Sequence, residues 1–134
     1  VRGSHIGVNR KLDHGYFLEV PGERRIFFVL PYKGQTLIGT TEIRQTILDE
    51  VKPVQSEIIY LIDSYNHYFV NQITERDMVK SFSGLRPLVK SAQDPNKATR
   101  EYALECKENL ISVFGGKWTT ARQLAKKVAQ RVNT

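Results

Sequence analysis

The sequence predicts an α+β fold, an antiparallel sheet with flanking helices, ending in a strand and helix of a different character. Three observations predict it. Two runs rich in Ile, Phe, Val and Leu meet at a two-residue connection, Lys33-Gly34; an apolar period of three to four residues runs from Pro53 to Phe69; and a late apolar run breaks at Gly115-Gly116 into a second helical period. With 134 residues, 40% of them apolar and 25% charged, the chain fits one globular core that buries roughly two thirds of the surface an unfolded chain exposes.

Gly15-Tyr16-Phe17-Leu18-Glu19-Val20 reads as a short strand, and Pro21-Gly22-Glu23 as the turn into a second strand over Arg24 to Tyr32. Residues 26–41 then form an antiparallel hairpin, its second arm Gln35 to Thr41. From Pro53 to Phe69, Val54, Ile58, Leu61, Ile62, Tyr65 and Phe69 fall on one face of a helix. A turn at Thr74-Glu75-Arg76-Asp77 leads to a strand from Met78 that ends at Pro87, with Arg86 near its end. Residues 91–99 form a polar loop, Arg100–Glu105 and Leu110–Phe114 two strands turning at Glu108-Asn109, and Ala121, Leu124, Ala125, Val128 and Val132 the apolar stripe of a final helix. A strand, glycine pair and helix normally belong to a layered α/β domain, and the other strands of such a domain are absent, so the chain is expected to be truncated.

Lys and Arg number 20 against 14 Asp and Glu, a formal charge of +6, which favours an anionic partner: a nucleic acid, a lipid headgroup or a phosphorylated metabolite. The cations are dispersed, with no basic run of the kind that marks a nucleic-acid arm. Cys106 is the only cysteine, which excludes an intrachain disulfide and a multi-thiolate zinc site and fits a reducing, cytoplasmic setting. The longest apolar runs are far shorter than the ~20 residues of a spanning helix. Val1-Arg2-Gly3-Ser4-His5 is ambiguous by composition, because Arg-Gly-Ser-His is also left behind by tag removal.

Gly115-Gly116-Lys117-Trp118-Thr119-Thr120 is the most informative stretch for chemistry. Two glycines let a ligand approach the backbone, the helix start behind them offers N–H groups to an anion or electron-rich oxygen, Lys117 adds a full charge, and Thr119 or Thr120 can cap the helix or donate to a ligand. A plain strand-to-helix turn with a threonine cap fits the same residues. Neither a phosphate P-loop nor a Gly-x-Gly-x-x-Gly fingerprint occurs, so a self-sufficient nucleotide site is not expected. Arg86 and Arg100 flank the polar loop and carry planar forks suited to phosphate oxygens, although an arginine in a basic chain is more often solvated or salt-bridged. His5, His14 and His67 are too dispersed for a metal site, and no metal is expected. His67 reads as a helix-end residue, His14 as a loop residue and Cys106 as a bystander; of the aromatics, only Trp118 sits where it could touch a ligand.

Taken in order, Arg-Gly-Ser-His-Ile at 2–6, Leu30-Pro31-Tyr32 with Gly34, Thr36-Leu37-Ile38-Gly39-Thr40-Thr41, Ser83-Gly84-Leu85-Arg86-Pro87-Leu88, Thr99-Arg100-Glu101-Tyr102 and Ser112 through Arg122 resemble the aerobic FAD-dependent glycerol-3-phosphate dehydrogenases over nearly the whole chain. The family carries Gly-Ser-His-Ile at the matching position, which weakens the tag reading. The resemblance implies a substrate-binding domain over 1–109, a returning strand and helix of the FAD-binding domain over 110–134, and a missing N-terminal dinucleotide fold. It implies hydride transfer from C2 of glycerol 3-phosphate to FAD, giving dihydroxyacetone phosphate, with electrons passed to membrane quinone by an enzyme in the cytoplasm or on the inner face of the cytoplasmic membrane. His5, Arg86 and Lys117 are then the catalytic candidates; Arg86, Arg100 and Thr40 bind substrate; Gly115, Gly116, Lys117, Trp118, Thr119 and Thr120 bind cofactor.

The sequence departs from the family at Glu42, where many members have aspartate, and over Arg44 to Glu50. A glycerol-3-phosphate oxidase that passes electrons to oxygen fits the same residues. The alternative of another class is a non-catalytic basic domain that binds anions, supported only by net charge. Without the pyrophosphate-binding fingerprint, the chain by itself is expected to show neither turnover nor tight flavin binding.

Overall fold

A computed structural model describes residues 1–46, 49–86 and 102–132. The chain divides into two compact units, Val1–Arg86 and Pro87–Thr134. In the first, strands β1 (Arg2–Val8), β2 (Tyr16–Glu19), β3 (Ile26–Tyr32), β4 (Gln35–Gly39) and β5 (Met78–Leu85) form one sheet in the order β2-β3-β4-β1-β5, every pair antiparallel. Helix α1 (Gln55–Tyr68) and a single 3-10 turn, Glu75–Asp77, lie between β4 and β5 in sequence. The β3–β4 connection is tight because Lys33 and Gly34 both take left-handed φ, 50° and 76°, as a two-residue hairpin turn of this twist requires.

Strand alternation builds the core. Ile6 and Val8 of β1, Phe27 and Val29 of β3 and Ile38 of β4 are buried in one cluster with Ile58, Leu61, Ile62 and Tyr65 of α1, the apolar stripe read from the sequence. Removing each such side chain from water contributes about 1.5–3 kcal/mol. The next residues along the same strands, Ile26, Phe28 and Leu30 of β3, are exposed on the opposite face.

The principal departure from the sequence expectation is β1, since no strand propensity marks Arg2–Val8. It nevertheless takes the inner position, paired with β4 from His5 to Val8 and with β5 along its whole length. Tertiary pairing overrides propensity here: Gly3 and Gly7 add no strand preference, and the flanking strands supply the partners. Residues once ambiguous with a tag remnant are therefore integral to the sheet.

The second unit contains β6 (Tyr102–Lys107) and β7 (Leu110–Gly115), an antiparallel hairpin, then a 3-10 turn Trp118–Thr120 and helix α2 (Ala121–Val132). The expected functional boundary at 109/110 falls at the tip of this hairpin. Leu124 and Val128 are the half-buried members of the α2 stripe. Among the described residues no helix is long and apolar enough to cross a membrane.

Candidate active site

His5 stands at the middle of β1 on the face that α1 does not cover. Several of its neighbours on that face are glycines. Gly3 and Gly7 lie two residues away on the same strand, Gly39 is its partner on β4, and Gly84 is the partner of Gly3 on β5. The imidazole lies over Gly39, where an added Cβ would come within 2.7 Å of Cγ and 2.9 Å of Nε2, and it stacks on Phe82 with ring centroids 5.1 Å apart and planes 8° from parallel. Only glycine at 39 admits this ring.

Beyond Gly39 the chain inserts one residue. His5 pairs with Gly39 and Arg2 with Ile43, so three steps on β1 face four on the other strand. The ladder resumes at Thr41, whose N–H donates to the Ser4 carbonyl at 3.2 Å. Thr40 is the extra residue of this bulge, turned onto the His5 face. A Cβ on Gly3 would meet Thr40 Oγ1 at 2.5 Å and Arg86 Nη2 at 2.6 Å, so the glycine leaves space for both.

Arg86, one residue past β5, is held at both ends. Its backbone N–H donates to the Val1 carbonyl at 2.8 Å, while Nη2 donates to Thr40 Oγ1 and Nη1 to Glu42 Oε1, each at 2.9 Å. The Thr40 hydroxyl passes its own hydrogen to the Thr41 carbonyl at 3.1 Å. A guanidinium carries five N–H groups in a planar fork, a donor set suited to an anion. Arg25 donates to the Thr40 carbonyl from beneath the Tyr60 ring, with its guanidinium carbon 5.5 Å from the ring centroid.

The electrostatics favour a neutral histidine. Burial, and after it the positive charge of Arg86, hold the His5 imidazole below its ordinary value of 6.5. Its Nδ1 is buried and has no hydrogen-bond partner among the described residues. A neutral imidazole beside a fixed cation can accept a proton from a bound hydroxyl while the cation holds an anionic group nearby.

The structure thus brings His5, Thr40 and Arg86 together in one unit. Arg100 lies outside the described residues. Glu42, Arg25, Phe82 and the glycine floor are further members that sequence reasoning did not assign. A legible signal existed for the floor: glycines two residues to either side of a histidine strip one face of a strand.

In the second unit, Gly115 and Gly116 take φ of 76° and 94°, and a Cβ on Gly116 would stand 3.1 Å from Leu124 Cδ2. Both positions need glycine. Lys117 and Thr119 are exposed and Trp118 is 95% exposed. The expected threonine cap is not formed. Lys117 occupies the cap position without a side-chain cap bond, and the Thr120 hydroxyl donates back to the Lys117 carbonyl at 3.2 Å instead of accepting from the helix. A carbonyl one turn behind is the nearer partner. The bare left-handed glycine pair beside an exposed lysine and indole fits close approach of a flavin, whose reduced ring is electron-rich. His67 lies in the last turn of α1, and Cys106 is exposed.

The family model for FAD dependent oxidoreductases, DAO, matches residues 1–131. The chain is 38% identical over 142 residues to the aerobic glycerol-3-phosphate dehydrogenase of Escherichia coli K12, and 37% identical over 140 residues to the D-erythritol 1-phosphate dehydrogenase of Brucella abortus. Each match covers 98% of this chain and 28% of the relative, so the chain spans little more than a quarter of the length of these proteins. The crystal structure of glycerol-3-phosphate dehydrogenase from Bacillus halodurans complexed with FAD superposes with a TM-score of 0.78 at 25% identity, over 98% of this chain and 26% of that one.

Proposed function

The chain belongs to the FAD-dependent oxidoreductases, and from that premise we propose that it forms the substrate-facing portion of an enzyme oxidising glycerol 3-phosphate to dihydroxyacetone phosphate. The observation that carries this reading is the pairing of a neutral imidazole, His5, with a permanently charged guanidinium, Arg86, on one glycine-stripped face of the sheet. Oxidation of a secondary alcohol removes a proton from oxygen and a hydride from carbon. His5 accepts the C2 hydroxyl proton, and bound FAD supplies the hydride acceptor. Arg86, oriented by Thr40 and Glu42, holds the phosphate or the C2 oxygen as the carbonyl develops. Arg100 is assigned the same anion-binding role from its motif, Thr99-Arg100-Glu101-Tyr102.

On the cofactor side, Gly115, Gly116, Lys117, Trp118, Thr119 and Thr120 hold FAD, with Lys117 stabilising negative charge on the reduced ring or the substrate. Residues 1–109 then serve substrate and 110–134 serve cofactor. The electron acceptor in this reading is a membrane quinone, which the enzyme meets on the inner face of the cytoplasmic membrane; an oxidase would use oxygen. A second substrate of the same class, D-erythritol 1-phosphate, is favoured by the Brucella relative, whose identity to the chain equals that of the glycerol-3-phosphate enzyme within one per cent.

The test is anaerobic stopped-flow mixing of the full-length, FAD-loaded enzyme with each polyol phosphate, followed by reoxidation with a quinone or with oxygen. Bleaching of the flavin by glycerol 3-phosphate and rapid recovery with quinone are expected. Preferential bleaching by D-erythritol 1-phosphate selects the second substrate, and fast recovery with oxygen selects an oxidase. No bleaching by either compound refutes the reading.

A further inference from the structure

On the face of the sheet opposite His5 lies a buried carboxylate to which the proposed chemistry assigns no part. Glu57, in the first turn of α1, is 2% exposed. Its Oε1 accepts from the Ser4 hydroxyl at 2.7 Å and the Thr41 hydroxyl at 2.5 Å, and its Oε2 from Arg2 Nη2 at 2.7 Å and the Val54 N–H at 3.1 Å. Four donors fill the acceptor positions of one carboxylate. The Val54 bond is the carboxylate half of a capping box, since valine has no side-chain acceptor to complete it.

Two strands beneath the site, and the segment that follows a third, enter this network. Ser4 belongs to β1. Thr41 follows the bulge after β4, and its Oγ1 also accepts the Ser4 N–H at 2.8 Å. Ser83 of β5 lies 2.7 Å from the Ser4 hydroxyl; because that hydroxyl spends its hydrogen on Glu57, Ser83 is the donor. Each member is one peptide away from a residue of the opposite face: Ser4 from His5, Thr41 from Thr40, Ser83 from Phe82. A strand turns successive side chains to opposite faces, so fixing one residue fixes the direction of the next.

We propose that Glu57 is a positioning residue, which from beneath the sheet locks Ser4 and Thr41 and so sets the placement of His5 and of the Thr40 bulge that orients Arg86. A carboxylate is suited to this work. It draws donors from β1, from the loop after β4 and from α1 to a single point, and each bond to it is charge-assisted and short. Ordinary packing of an apolar residue at 57 leaves the Ser4 and Thr41 hydroxyls without that common acceptor.

The inference rests on the dehydrogenase reading, and its test separates the two. The full-length, FAD-loaded enzyme is compared with E57Q, T41V and T41S by anaerobic flavin reduction with glycerol 3-phosphate and by reoxidation with a quinone. E57Q and T41V are expected to lower the rate constant for reduction at saturating substrate by roughly tenfold or more, a displacement effect on reacting groups, with flavin content and reoxidation unchanged. T41S, which retains the hydroxyl, restores most of the reduction rate. A merely structural role lowers the melting temperature but leaves reduction unaltered below it, so wild-type reduction rates in both E57Q and T41V overturn the proposal. If E57Q fails to fold, a T41V rate equal to that of T41S overturns it. A wild-type enzyme bleached by neither glycerol 3-phosphate nor D-erythritol 1-phosphate overturns the dehydrogenase reading itself.

Discussion

Gly39→Ala places one methyl group against the imidazole of His5, whose ring supplies the three atoms nearest to it. The new Cβ falls 2.7 Å from His5 Cγ and 2.9 Å from Nε2, closer still to Cδ2, whereas ordinary contact begins at 3.4 Å. The ring must therefore retreat by roughly 0.7 Å or more, because atoms inside van der Waals contact repel steeply. Retreat breaks the stack with Phe82, an interaction worth about 0.5–1.5 kcal/mol. A misplacement of about 1 Å at a reacting group costs on the order of a hundredfold in rate. The expected result is a fall of about that size in the rate of flavin reduction by glycerol 3-phosphate, read by stopped flow on the full-length enzyme, with the flavin complement unchanged. Reduction within about threefold of the wild-type rate would show that the imidazole need not stand where the structure places it, and His5 as proton acceptor would be refuted.

Arg86→Ala removes the guanidinium that Thr40 and Glu42 orient. Charge-assisted hydrogen bonds contribute about 1.5–3 kcal/mol each, so KM for glycerol 3-phosphate should rise by roughly a hundredfold in steady-state assays. Arg86→Lys, which cannot hold both partners and a phosphate fork, should recover only part of this. The pH profile of kcat/KM should have an acid limb whose midpoint lies below 6.5, since burial and the Arg86 charge lower the His5 value and the neutral form is the proton acceptor. A limb centred above 6.5 argues against that assignment. Glu57 predicts a separate effect on stability. Burial alone would raise its value, but the Thr41, Ser4 and Val54 hydrogen bonds and the Arg2 charge outweigh it, and the net shift is downward from 4.5. The stabilisation is then fully present above the unfolded value near 4.5 and is lost as pH falls through the lowered folded value. Urea denaturation of wild type and E57Q at pH 7 and in the acid range should show the gap between them narrowing as pH falls.

The parts of the fold that the sequence made legible are those set by neighbours in the chain. The β3–β4 hairpin follows from Lys33-Gly34, whose left-handed pair closes the turn locally, and α1 from a stripe that needs no partner to be recognised. β1 was not legible because its strand state depends on β4 and β5, drawn from residues 35–39 and 78–85. The same non-locality hid most of the site. Arg86 could be singled out by its glycine and proline neighbours, but its orienting partners, Thr40 and Glu42, lie 46 and 44 residues away. The family resemblance points to Thr40 as a substrate contact, yet nothing in a pair of threonines marks a bulge. That feature emerges only when four residues must face three on β1. Glu57 did leave a trace: it falls on the α1 stripe between Val54 and Leu61, where a carboxylate is out of place unless something buried receives it.

The two faces of the sheet divide the work, and strand geometry makes the division strict. On one face, glycines at 3, 7 and 39 make room for the side chains of Thr40 and Arg86, of Lys80 and of His5, while the space over Gly84 is open. On the other, Arg2, Ser4 and Thr41 are buried and tied to Glu57, a density of polar bonds that an apolar core would not need. Glycine adds no side-chain packing and leaves the backbone more freedom, so the His5–Phe82 stack and the Arg86 hydrogen bonds are the fixed points on that face. The Glu57 network adds order from below. The arrangement also isolates charge: Arg2 and Glu57 neutralise each other beneath the strands, leaving Arg86 as the cation that His5 experiences. Substitutions on the His5 face should therefore cost activity with little loss of stability, whereas those in the buried network should cost both, and that contrast follows from the period of two in a β-strand.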